Sequence, residues 1–144
     1  MIEDDTIKLL RECDAGIKMG VSAISDVLEY VKDPSLQASL SKCKEEHNRL
    51  GNKIQALLSD YHDDGKDPNP IAKSMSWIKT NAKLVINESD QTIADLITDG
   101  CNMGVKSLNR YLNQYQAASE SSKDIAKHLI QLERTLAVDI SRFL

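Results

Sequence analysis

Aromatic side chains are nearly missing from this chain of 144 residues, which holds one Trp, one Phe and four Tyr. Its core has to be filled instead by Leu, Ile, Val, Ala and Met. Long apolar runs are missing as well, and no stretch approaches the roughly 18 consecutive apolar residues of a membrane-crossing helix. A basic cluster is the third absence: Lys and Arg number 18 against 22 Asp and Glu, for a formal charge of -4. Phosphate and anionic lipid attract clustered cations, so neither a nucleic-acid partner nor a membrane surface is expected. The opening Met1-Ile2-Glu3-Asp4-Asp5-Thr6 carries acid where a secretory signal carries positive charge, which points to a cytoplasmic protein. Cys13, Cys43 and Cys101 are odd in number and lack C-x-x-C spacing, as suits a reducing compartment, and they read as small core side chains. No nucleophile–base arrangement, phosphate-cradling glycine loop or zinc spacing is recognisable.

What the chain does have is periodicity. Ile7, Leu10, Ile17, Val21, Ile24, Leu28 and Val31 recur at steps of three and four, with Asp14 standing where a core residue belongs. Leu36, Leu40, Cys43, Leu50, Ile54 and Leu57 repeat the pattern, with His47 as the misfit. Such stripes keep one helix face aimed at a neighbour and predict long helices over about Thr6 to Lys32 and Ser35 to Asp60. Between them, Asp33 is a natural N-cap and Pro34 a natural first helical residue, so the two helices form a tight antiparallel hairpin. Of the three prolines, the other two fall in the Gly-, Pro- and Asp-rich loop from Tyr61 to Pro70. His62 and its acidic neighbours there read as solvated rather than as a metal clip.

Ile71, Met75, Ile78, Ala82 and Val85 predict a shorter helix that carries Trp77. A third long helix follows Ser89-Asp90 with Ile97, Cys101, Gly104, Leu108, Tyr111, Tyr115 and Ala118 on its seam. Ser119 to Ser122 supply a turn and cap, and a fourth helix carries Ala126, Leu129, Leu136, Ile140 and Phe143, interrupted by Glu133. His128 falls off that stripe, toward solvent. Two hairpins joined by a long crossover with its own short helix make one all-α domain over 1–144, a ferritin-like four-helix bundle.

Five features resemble the small bacterial ferritin-like bundles of uncharacterised function. They are Asp14 two turns into the first helix and followed by Gly16, the Val31-Lys32-Asp33-Pro34-Ser35-Leu36 corner, Glu45-Glu46-His47, Trp77 in the connector, and the Asp99-Gly100 step. The resemblance spans Thr6 to Phe143 and implies the four-helix fold and, from the wider superfamily, a metal–carboxylate site. It implies no activity.

Di-metal sites of this fold need Glu-x-x-His on two helices, because that spacing places carboxylate and imidazole on one inward face. Lys44 stands three residues before His47 and Leu136 three after Glu133, so two required ligands are missing. What remains is one polar or soft residue on each seam: Asp14, His47, Cys101 and Glu133. Counted from the hairpin turns, Asp14 matches Cys101 in height and His47 matches Glu133, the two levels being roughly 8 to 10 Å apart, and how the hairpins align decides whether they converge. The first expectation for this cluster is a satisfied core pair that fixes helix register. The other is a metal or proton-handling site. Gly16, Gly20, Gly51, Gly100 and Gly104 predict close helix approach or a narrow cavity beside Asp14. Function is accordingly expected to be protein binding or assembly without catalytic residues or a cofactor; the alternative is a degenerate ferritin-like protein holding a transition metal for redox or oxygen chemistry.

Overall fold

The structure, a computed structural model, describes residues 2–67 and 89–144. It contains α1 (Ile2–Leu28), α2 (Pro34–Asp60), α3 (Asp90–Gln114) and α4 (Glu120–Asp139), with a 3₁₀ turn at Ser141–Phe143. The helix read over Ile71 to Val85, with Trp77, lies outside the described residues. Among the described residues no helix is long and apolar enough to cross a membrane.

α2 starts where its sequence says it should. The Asp33 carboxylate accepts hydrogen bonds from the Ser35 and Leu36 amides at 2.7 and 3.3 Å, and Pro34 follows the cap. α4 is capped in the same way by Ser119, whose hydroxyl accepts from the Ser122 amide. α1 departs from expectation by about a turn at both ends. Glu3, Asp4 and Asp5 favour the positive end of the dipole, so helix forms ahead of Thr6. At the other end, Tyr30 and Val31 donate to the Val27 and Leu28 carbonyls in tight turns that stop the helix before Lys32.

α1 and α2 pack along each other, as do α3 and α4, while α1 also lies against α3 and α2 against α4. The two hairpin turns sit at opposite ends of the bundle. Asp90, the first residue of α3, accepts from the Lys32 and Asp33 amides at 2.9 Å each, which places the start of α3 at the α1–α2 corner. Near the start of α1, Asp5 accepts from the Ala117 amide at 3.0 Å and the Thr6 hydroxyl from the Ser119 amide at 2.8 Å. Each turn is therefore held by the first helix of the other hairpin. α2 ends far from where α3 begins, and the connection between them must cover the bundle's length, about 40 Å for 27 helical residues.

The core is divided in two. Leu9, Leu10, Ile17, Leu50, Ile54, Leu58, Leu108 and Leu129 belong to one apolar cluster, and Ile24, Val27, Leu36, Leu40, Ile93, Ile97, Leu136 and Ile140 to the other. A polar layer lies between them.

Candidate functional site

That layer takes one residue from each helix: Gly20 of α1, His47 of α2, Gly104 of α3 and Glu133 of α4. His47 sits among leucines on the inner face of α2 and is 1% exposed. Its Nε2 lies 2.9 Å from Glu133 Oε1, joining the two hairpins, and its Nδ1 lies 2.8 Å from the backbone carbonyl oxygen of Cys43. A carbonyl can only accept, so Nδ1 carries a proton. With Nε2 donating to the carboxylate, the ring is an imidazolium. Burial works against that charge, but the side chains of Cys43 and Glu133, both within hydrogen-bonding reach of the ring, outweigh it and hold the His47 pKa up at about 10.

The two glycines make room for this pair. A Cβ at Gly20 would stand 3.3 Å from His47 Cδ2 and Nε2, and one at Gly104 would stand 3.6 Å from the Glu133 carboxyl carbon. Gly51 serves ordinary packing, since the Ile17 side chain fills the space of its missing Cβ. Gly16 borders open space, so close approach does not explain it.

The two thiols beside the pair complete the layer's surroundings. Cys43 Sγ is 3.4 Å from His47 Nδ1, one helical turn away on α2. Cys101 faces Glu133 from α3; burial first, then the carboxylate, pushes its thiol far up, so it stays protonated. Cys43, His47 and Glu133 stand in the order of nucleophile, imidazole and carboxylate, yet they are not a hydrolytic triad. Nδ1–H is already given to a carbonyl and cannot accept the thiol proton.

Asp14 belongs to a different site. It is 2% exposed, and its oxygens accept from Gln55 Nε2 at 2.8 Å, the Lys66 amide at 2.9 Å and Lys18 Nζ at 2.8 Å. Its carboxylate in turn raises the Lys18 ammonium above its ordinary pKa. These contacts fasten the first residues of the crossover onto α1. Gly65 is essential to the bend: its φ is +91°, and a Cβ there would collide with the Asp14 carboxylate. Lys66 Nζ reaches on to Glu12, and Lys18 Nζ to Asp67. Beside Asp14 the structure has an outward-opening groove of about 320 Å³ between α1 and α2, lined by Lys18, Asn48, Gly51 and Asn52 among others. The internal cavity considered from the glycines is thus replaced by a surface cleft.

Of the four seam residues, the structure joins His47 and Glu133, brings Cys101 beside Glu133, and sets Asp14 apart. The matching counts of Asp14 and Cys101 from their turns do not become a shared level, for a simple reason. The hairpin turns lie at opposite ends, so equal counts from the turns run in opposite directions. Asp14 is six residues from Gly20, about 9 Å along α1. Cys43 is the participant that sequence reasoning missed. Its signal was the four-residue spacing to His47, which puts both on one helix face, but it was read as small core filler. Among the described residues no three or more His, Cys, Asp or Glu side chains are placed to hold a metal ion.

No protein-family model matches the chain, and neither a curated protein nor a solved structure gives a match.

Proposed function

We propose that this chain is a non-enzymatic cytoplasmic helical bundle that acts by binding another protein or assembling with its own copies. The observation that carries this reading is that both buried polar centres are engaged in holding the architecture. His47 has both ring nitrogens bonded and Asp14 both oxygens. A buried pair of this kind joins helices in one register, which leaves recognition to the outer faces. The plan of two antiparallel hairpins and one long crossover is that of ferritin-like proteins, in keeping with the bacterial bundles the sequence resembles. Three buried, unpaired thiols suit a reducing cytoplasm.

The second reading is a transition metal held in the core. It draws on the adjacency of His47 and Glu133, with Cys43 and Cys101 alongside, a donor set of borderline and soft character. The ferritin-like di-metal set itself does not fit, because Lys44 and Leu136 occupy two ligand positions.

Metal analysis of protein purified without chelator, paired with thermal melting, separates the two. Metal-free protein whose melting temperature ignores zinc, iron and manganese is the expected result. A saturable rise with one of them, abolished by His47→Leu, would establish the metal reading, since a ligand bound only by the folded state stabilises it. Light scattering across a concentration series then divides the first reading: a mass that grows toward a dimer indicates self-assembly, and a persistent monomer indicates a different protein as partner.

A further inference from the structure

We propose that Cys43 is a site of thiol oxidation by hydrogen peroxide, selected over Cys13 and Cys101 by the imidazolium of His47. A thiol attacks through negative charge on sulfur, and a cation beside it stabilises that charge. Only Cys43 has one. Its Sγ lies 3.4 Å from His47 Nδ1, and that ring donates from Nδ1 to a carbonyl and stands with Nε2 2.9 Å from the Glu133 carboxylate, the pairing that keeps it cationic. The other charged or titratable neighbours of the cluster are Glu133 of α4 and, through it, Cys101 of α3; α1 presents Gly20.

The remaining thiols face carboxylates instead. Cys13 is 0% exposed, and burial together with Glu12 and Asp14 pushes it up to about 12. Cys101 is 3% exposed and faces the Glu133 carboxylate, whereas Cys43 is 7% exposed. Hydrogen peroxide is nearly as small as water, so the slight exposure of Cys43 favours it further.

In the reaction the sulfur of Cys43 bonds to one peroxide oxygen as the O–O bond breaks. The departing hydroxide takes up the proton that the sulfur has given up and leaves as water, so sulfur is oxidised by two electrons to a sulfenic acid while the peroxide is reduced, one oxygen kept on sulfur and the other released as water. The added oxygen must then be accommodated against His47 in the packed layer, which lowers the stability of the bundle.

The test is to expose native protein to hydrogen peroxide with dimedone as sulfenic-acid trap and to follow each cysteine by peptide mass spectrometry. Cys43 is expected to label about tenfold ahead of Cys13 and Cys101. Glu133→Gln keeps the side-chain shape but removes the charge that sustains the imidazolium, and should shrink the lead to within about twofold. Equal labelling in the native protein, or an undiminished lead in a natively folded Glu133→Gln, overturns the proposal. A control needs no variant: in denaturant, where the ring no longer touches the sulfur, the three should label alike. A lead that survives unfolding would assign the selectivity to local sequence and equally overturn it.

Discussion

His47 and Glu133 are costly alone and tolerable together. Replacing His47 by Leu leaves a partly buried carboxylate short of its partner and should cost about 1 to 3 kcal/mol in urea denaturation. Replacing both by Leu removes the desolvation cost along with the attraction, and is expected to cost less than the single change. The pair also predicts the pH dependence. The folded-state pKa of His47 is raised, from 6.5 to about 10, so its contribution is full below about 6.5 and lost as pH rises through about 10. Unfolding free energy should therefore fall between pH 6.5 and about 8, below the 9.0 at which unfolded thiols are half ionised, and the double Leu variant should lack that slope. The glycines give a contrasting pair. Gly20→Ala must displace the His47 ring and should destabilise, whereas Gly16→Ala meets nothing and should gain up to about 1 kcal/mol from helix propensity. Thermal melts of the two variants moving in the same direction would contradict this account.

At the scale of elements, the carboxylate of Asp90 ties the start of α3 to the α1–α2 corner. Asp90→Ala removes the acceptor of two backbone amides and should cost about 1 to 2 kcal/mol by chemical denaturation, with Asp90→Asn costing less because one acceptor remains. The same contact explains what could be read in advance. The start of α2 was legible because its cap and its proline are neighbours in sequence. The end of α1 was not, because Lys32 and Asp33 are held by a residue 57 or 58 positions away. His47 and Glu133 stood out as misfits on apolar stripes, so their inward placement could be anticipated. Asp14 stood out equally, but its partners Lys66 and Gln55 come from a loop bend and a helix whose register the stripe does not specify.

Across the whole molecule, the polar layer separates two apolar clusters, and each draws on all four helices. The cluster near the start of α1 takes residues from the first half of α1 and the second half of α2, then from late α3 and early α4. The other takes the complementary halves, including Leu136 and Ile140. This division has a consequence for the order in which the protein is made. When the ribosome has released α1 and α2, that hairpin holds only part of each cluster, with Asp33 capping α2 but no Asp90 yet to secure the corner. Neither half of the core can close until α4 has emerged, because Leu129 and Leu136 each supply one cluster. The nascent first hairpin must meanwhile carry its apolar face uncovered, the condition in which a growing chain is most exposed to aggregation and to chaperones.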